Sequence, residues 1–225
     1  ITIVGTNPEY FEGGDLAGYR TQEDFGASRR GETWGRYQAS DGERFPILSA
    51  ATPGAANAAP ALGDVLITEL YYDPASNNQG EEFIELYNTT GTAISLQGPG
   101  AVPWAFTNGV DFSFPSGASI PAGGRVIVAS DPAAFAAAFG NTGVTVFGPY
   151  GGRLSDGESL ELSEPAERSN GEEQFFYRVD HVKYDNESPW PTSPNGQGDS
   201  LHRVSLSAFG NDPESWEAAA PTPGE

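Results

Sequence analysis

Four acidic residues lie in or beside two strand-like stretches and could converge on one site. Glu69 and Asp73 belong to "DVLITELYYDP", and Glu82 and Glu85 belong to "GEEFIELYN". If these stretches pair as antiparallel neighbours, Glu69 and Glu85 meet, with Asp73 and Glu82 near the loop end. Carboxylates brought together must take up a proton or share a cation, and hard oxygen ligands suit calcium. The four residues are therefore the candidate metal ligands, and Ca²⁺ is the candidate ion.

Two other interpretations of these acids stay open. In the favoured one, each acid pairs with an arginine such as Arg36, Arg125 or Arg203, or faces water, because strand-borne acids rarely bind cations without a ligand-dense loop. The loop "DPASNNQGEE" has oxygen donors but lacks the EF-hand spacing. In the other, Glu69 and Glu85 form the acid pair of a hydrolase. No motif supplies a cleft for a sugar, which argues against the hydrolase. We predict that the chain requires no cofactor.

The remaining residues provide no catalytic set. His181 and His202 belong to no HExxH pattern, and the sequence contains no Gly-x-Ser-x-Gly elbow. Cysteine is absent, which removes thiolate chemistry, cysteine-based zinc sites and disulfides together. We predict that the chain is not an enzyme.

Three aromatic residues are candidates for binding a ligand. Trp190, Trp104 and Tyr150 could form a platform on which a carbohydrate ring stacks. The alternative is that these rings fill the core or cover the open ends of a β-sandwich, as tryptophans in small sandwiches commonly do. The Pro/Gly-rich loop "SPWPTSPNGQG" is the stretch best suited to recognition at the surface.

Charge and composition exclude several classes of function. The net charge of −20 comes from 31 acids against 11 bases, so the surface repels phosphate backbones and nucleic acid is not an expected partner. No apolar stretch reaches the length of a membrane span. Methionine is absent, so Ile1 is expected to follow a processing event or an upstream sequence, where any export signal would also lie.

Short strand-like runs separated by Gly, Pro, Asn and Asp predict an all-β fold. In the first stretch, alternation puts Ile67, Glu69 and Tyr71 on one face. In the second, Phe83 and Glu85 oppose the face that holds Ile84 and Leu86. One helix is predicted in "SDPAAFAAAFG", capped by Ser130 or Asp131, begun by Pro132 and ended by Gly140, and a short helical turn is predicted in "NDPESWEAA".

Two parts of the sequence resemble each other. "GETWGRY", from residue 31, matches "GDSLHRV", from residue 198, and a Thr-Pro-Gly follows each, at residues 52 and 222. The matches keep the same order, which favours an internal repeat over chance. We therefore predict three parts: the closing portion of an incomplete repeat in residues 1–57, a linker in residues 58–62, and a complete domain in residues 63–225.

The complete part resembles the lamin tail domain, an immunoglobulin-like antiparallel β-sandwich. The resemblance depends on "DVLITELYYDP", "EEFIELYNTTGTAISLQG", "FSFPSGASIPAGGRVIVASD", "GGRLSDGESLELSEP" and "VDHVKYDNESPWPTSPNGQGDSLHRV" taken together. It implies one sandwich with one or two short helices, preceded by a small β segment that looks like the end of another such domain. The late segments resemble bacterial members, which implies a part of a large exported protein.

The prediction for function follows from that resemblance. We expect a non-enzymatic structural or adhesion module at the cell surface or outside the cell, assembling into serial arrays or filaments with copies of itself or neighbouring repeats. Strand complementation or end-to-end packing would join the modules. The alternatives are an accessory module that binds polysaccharide for a secreted hydrolase, and a carboxylate-dependent hydrolase.

Overall fold

A computed structural model describes residues 26–168 and 171–225 in full, together with the backbone of four short strands that precede them. These are β1 (Thr2–Val4), β2 (Phe11–Glu12), β3 (Asp15–Leu16) and β4 (Arg20–Gln22), and β1 pairs with β4 while β2 pairs with β3. Among the described helices, none combines the length and the apolar composition that crossing a bilayer requires.

Residues 26–168 and 171–225 contain sixteen further strands, one α-helix and three short 3-10 turns. The strands of residues 26–62 are β5 (Thr33–Trp34), β6 (Tyr37–Ala39), β7 (Gly42–Arg44) and β8 (Ile47–Leu48). Those that follow are β9 (Val65–Tyr71), β10 (Phe83–Asn88), β11 (Ile94–Ser95), β12 (Ala105–Asn108), β13 (Phe112–Ser113), β14 (Ser119–Ile120), β15 (Arg125–Ala129), β16 (Thr145–Phe147), β17 (Gly157–Pro165), β18 (Phe176–Asp185), β19 (Ser200–Arg203) and β20 (Trp216–Ala219). The helix α1 is Pro132–Phe139, and the 3-10 turns are Gln79–Glu81, Pro99–Ala101 and Pro213–Ser215.

Two stacked sheets form the sandwich. The larger has six strands in the order β16-β15-β10-β9-β19-β20, all antiparallel except for the parallel β15–β16 pair. The smaller has four antiparallel strands in the order β13-β12-β17-β18. Alternate residues of both sheets meet in one core, in which Leu86 and Val128 of the first sheet join Phe106, Leu160 and Val182 of the second. The predicted all-β, immunoglobulin-like sandwich is confirmed.

A β-bulge at Thr68 corrects the predicted alternation of β9. Glu85 of β10 lies opposite Glu69, but the next residue, Leu86, lies opposite Ile67, so Thr68 is an extra residue on its strand. Ile67 therefore belongs to the core between the sheets while Glu69 lies on the outer face. The prediction that Ile67 and Glu69 share a face was wrong, because an inserted residue reverses the alternation beyond it.

Helix α1 covers part of the outer face of the larger sheet. Asp131 caps the helix by accepting the N–H groups of Ala133 and Ala134, Pro132 occupies its first turn, and Gly140 ends it with φ 71°. Phe135 is 1% exposed and belongs to a second apolar cluster, formed with Tyr71, Phe83, Ile127 and Ala129. The predicted helix is confirmed, and the predicted helical turn near the end of the chain is the 3-10 turn capped by Asp212.

A buried ion pair connects the two sheets. Arg203 of β19 donates from Nη1 to Asp180 Oδ2 of β18 at 2.7 Å and to the carbonyl of Ile67 at 3.1 Å. Its Nη2 donates to the carbonyl of Ala208. Asp180 also accepts the Ile67 N–H at 2.8 Å. Burial raises the pKa of Asp180, and the Arg203 charge opposes that rise.

Residues 26–62 form small ladders of their own. β5 pairs with β8, and β6 pairs with β7 as a hairpin. The predicted linker, residues 58–62, lies beside β8, because Ser49 donates to the carbonyl of Ala59 and Ala61 donates to the carbonyl of Ile47. These residues are therefore hydrogen-bonded as a third extended run of the ladder.

The same segment lies against the sandwich. Arg29 forms an ion pair with Glu164 of β17, and Ser40 donates its N–H and its hydroxyl to Asp212. The first strand of the sandwich, β9, begins close to residue 63. Residues 1–25, the first half of the predicted incomplete repeat, lie outside the fully described residues, so the division into 1–57, 58–62 and 63–225 stays a prediction.

Candidate functional site

The candidate site is the pair of buried glutamates on the two central strands of the larger sheet. Glu69 on β9 and Glu85 on β10 are register partners across the ladder, and each is only 2% exposed. The bulge at Thr68 produces this arrangement, because it turns Glu69 outward on to the face that Glu85 already occupies. The predicted meeting of these two acids is therefore observed.

Glu85 is surrounded by donors. Its Oε1 accepts the Thr68 hydroxyl at 2.6 Å and Arg125 Nε at 3.0 Å, and its Oε2 accepts the backbone N–H of Gly224 at 2.8 Å. Arg125 on β15 is one of the arginines that the sequence suggested as an acid partner. Both oxygens of this carboxylate are thus satisfied inside the protein.

Glu69 has no arginine partner like the one that binds Glu85 among the fully described residues. Its Oε1 accepts the Ser200 hydroxyl at 2.6 Å and the backbone N–H of Thr222 at 3.1 Å, and His202 Nε2 lies 3.4 Å away. Burial raises the pKa of Glu69 to about 7, and the negative charge of Glu85 adds to the rise. The donors of Ser200 and Thr222 act in the opposite direction. Glu69 is therefore an acid whose charge changes near neutral pH.

A tight turn of the closing residues covers both glutamates. Thr222 and Gly224 donate one N–H each, and the turn is closed by the Glu225 N–H, which donates to the carbonyl of Thr222 at 3.1 Å. Gly224 has φ +94°, as the third position of a type II turn requires. Thr-Pro-Gly was recognisable in the sequence as a repeated motif, but its role as the partner of the glutamates was missed. The recurrence of the motif was the available signal.

The other two predicted metal ligands lie apart from this pair. Glu82, which immediately precedes β10, is fully buried and faces the core, where it accepts the hydroxyl of Tyr150 and the N–H of Leu154. Burial raises the pKa of Glu82, while these two donors lower it. Asp73 follows β9, and its carbonyl accepts the N–H of Gly196.

Among the fully described residues, no three His, Cys, Asp or Glu side chains are grouped so that they could hold a metal ion. Calcium binding by the predicted set of Glu69, Asp73, Glu82 and Glu85 stays a prediction. A melting temperature that rises with calcium and falls again with a chelator would test it.

The three aromatic candidates all lie in the core. Trp190 and Tyr150 are 5% exposed and Trp104 is 6% exposed. Trp190 packs beside Trp216 with ring centroids 6.4 Å apart, and the Tyr150 hydroxyl is hydrogen-bonded to Glu82. A stacking platform needs open ring faces, and burial leaves none on these rings. Their placement matches the alternative interpretation, in which aromatic rings fill the sandwich.

The fold and the site together define the class of this protein. It is an immunoglobulin-like β-sandwich module in which a central pair of acids is bound by hydrogen-bond donors of the module itself. The family model described as Lamin Tail Domain matches residues 58–184, more than half of the 225 residues, and the chain belongs to that family. The lamin tail domain is a non-catalytic family with an immunoglobulin-like fold. No curated protein and no solved structure matches the chain.

Proposed function

We propose that this chain is a non-enzymatic structural module of a cell-surface or extracellular protein, and that such modules assemble in series. Its partners are other copies of the chain or neighbouring repeats of the same polypeptide. The non-catalytic family supports this proposal, and so does the state of Glu69 and Glu85, which are held by internal donors under a turn. The resemblance of the late segments to bacterial members supports the location, and the net charge of −20 argues against a nucleic-acid partner.

The observation on which the proposal depends most is that residues 26–62 contain a ladder with the same order of elements as the β19–β20 ladder of the sandwich. β19, inside "GDSLHRV", pairs antiparallel with β20. β5, inside the matching "GETWGRY", pairs antiparallel with β8. Each ladder is followed by a Thr-Pro-Gly turn. A segment that has the closing elements of a sandwich is suited to packing on the opening elements of another one.

The matched arginines differ in what they contact. Arg203, in the complete copy, has a fully buried side chain that binds Asp180 across the sheets. Arg36 stands at the same position of the first motif, but its side chain is 42% exposed and only reaches Glu43, at 3.4 Å. An exposed ion pair of this kind contributes little to stability, so Arg36 is available for a carboxylate of a partner.

Sedimentation velocity of the full chain over a wide range of concentration tests the proposal. We expect association that weakens in Arg36→Gln. The matched control is Arg30→Gln, because Arg30 is also exposed and forms no ion pair with another fully described residue. A chain that stays monomeric at every concentration would contradict serial assembly. Association that is equal in both variants would exclude the Arg36 side chain from the contact.

A further inference from the structure

The Thr-Pro-Gly turn exists in two copies that have the same conformation but different surroundings. In the first, the N–H of Ala55 donates to the carbonyl of Thr52 at 3.1 Å and Gly54 has φ +78°. In the second, the N–H of Glu225 donates to the carbonyl of Thr222, also at 3.1 Å, and Gly224 has φ +94°. We call them the exposed turn, residues 52–55, and the docked turn, residues 222–225.

The two turns differ in what their outward N–H groups do. In the docked turn, the N–H groups of Thr222 and Gly224 are donated to Glu69 and Glu85. In the exposed turn, the equivalent N–H groups of Thr52 and Gly54 have no acceptor within the described part of the chain.

The proline between the two donors also differs in its surroundings: Pro223 of the docked turn is buried, and Pro53 of the exposed turn is exposed. The exposed turn is therefore preorganised for a receptor that it does not contact, and preorganisation lowers the entropy cost of binding.

We propose that the Glu69–Glu85 pair of one molecule accepts the exposed turn of a second copy of the chain, in place of its own docked turn. The Thr52 N–H would donate to Glu69 and the Gly54 N–H to Glu85. This inference rests on the proposed serial assembly and identifies the contact through which it occurs. Exchange of identical or equivalent elements between copies is a low-cost route to association, because every hydrogen bond that is broken is replaced by one of the same kind.

Space and charge favour the exchange. A Cβ on Gly224 would lie 3.0 Å from the carbonyl oxygen of Thr142, a tight contact that, together with the positive φ, favours glycine at this position, and the exposed turn provides Gly54. The fourth residue is Glu225 in the docked turn and Ala55 in the exposed turn. Replacing one turn by the other removes a negative charge from a turn that lies on two glutamates. No residue from Pro46 to Ala61 is charged, so the guest segment adds no repulsion.

In a single chain the docked turn already occupies the Glu69–Glu85 pair, so the decisive experiment must release that turn. Gly224→Ala places a side chain against Thr142 and should release the docked turn without altering the exposed one. Gly54→Ala is the matched variant, because it imposes the same unfavourable positive φ at a position where a Cβ meets nothing. Both variants are made in the full chain, alone and together, and their size is measured by sedimentation velocity.

We expect Gly224→Ala to associate more strongly than the unmodified chain, with Thr52 and Gly54 amides that become protected from hydrogen exchange. Adding Gly54→Ala should weaken that association by about tenfold, the effect of forcing an L-residue into the left-handed region. A folded Gly224→Ala chain that stays monomeric, or associates with these amides unprotected, overturns the exchange. Near-ultraviolet circular dichroism shows whether the variant is folded.

A second measurement on the unmodified chain keeps the proposal testable if Gly224→Ala does not fold. A blocked peptide of residues 50–56, added in excess, should displace the docked turn and accelerate hydrogen exchange at Gly224. Unchanged exchange overturns the proposal. Failure of serial assembly is a different result: if the unmodified chain associates and Gly54→Ala has no effect on that association, assembly stands and only the turn exchange is rejected.

Discussion

Replacing Glu69 by glutamine should change how stability depends on pH. In the folded chain the pKa of Glu69 is about 7, against an ordinary value of 4.5, because burial between β9, β10 and β19 penalises the charged form. Between these two pH values the folded chain retains the Glu69 proton and the unfolded chain has released it. The stability that this proton contributes is therefore complete below pH 4.5 and is lost as the pH rises through about 7.

The size of the effect follows from the difference between the two pKa values. They differ by about 2.5, and one pKa unit corresponds to about 1.4 kcal/mol. Glu69 should therefore lower the free energy of unfolding by roughly 3 kcal/mol as the pH rises across this interval. That is a large part of the 5–15 kcal/mol, roughly, by which a typical domain is stable.

Urea unfolding followed by tryptophan fluorescence, at several pH values, measures the effect. The quantity of interest is the difference in pH dependence between the unmodified chain and Glu69→Gln, since other buried acids such as Glu82 and Asp180 contribute equally to both. The groups that face Glu69 are Glu85, Arg125 and His202.

His202→Gln, measured in the same way, separates any contribution of the imidazole from that of the carboxyl. Equal pH dependence in the unmodified chain and in Glu69→Gln would refute the reasoning.

Three further substitutions test the structural elements that hold the site, each by the urea midpoint at neutral pH. Asn88→Asp should lower the free energy of unfolding by about 3–5 kcal/mol, because a buried carboxylate would replace an amide that donates to three backbone carbonyls. Near-normal stability would contradict this. Arg203→Met should lower the free energy of unfolding by about 3–5 kcal/mol, because it leaves Asp180 buried without its partner. The added change Asp180→Leu should recover most of that loss, and no recovery would show that the pair is not its cause. Phe135→Ala should cost about 3–5 kcal/mol, whereas Phe175→Ala, at a residue 55% exposed, should change stability by at most about 0.5 kcal/mol; similar losses at both would refute the role of the helix.

The elements that the sequence predicted well are those determined by neighbouring residues. Helix α1 needed only an aspartate cap, a proline in the first turn, a run of alanines and a terminal glycine, all close together in the sequence. The alternation of β10 was also correct, since Ile84 and Leu86 face the core while Phe83 packs under the helix. The meeting of Glu69 and Glu85 followed from pairing two neighbouring strands.

The elements that the sequence did not reveal depend on distant contacts. The bulge at Thr68 is a mismatch between two strands, and nothing in the sequence of β9 alone indicates which residue is extra. Thr222 and Gly224 are far along the chain from the acids that they bind, and they use backbone N–H groups, which every residue but proline has. The burial of Trp104, Trp190 and Tyr150 was also decided by packing, so residue type alone could not choose between platform and core.

The two Thr-Pro-Gly turns show what a recurring motif can reveal about contacts. In residues 63–225 the docked turn binds the two glutamates, and Arg203 binds Asp180 across the two sheets. In residues 26–57 the turn and the matching arginine recur, with the turn already in its bound conformation. A tight turn held by one internal hydrogen bond and a glycine at positive φ does not require a receptor to form. Because the exposed turn forms by itself and neither of its donors is used within the described residues, we expect both N–H groups to be available to an acceptor on another copy of the chain.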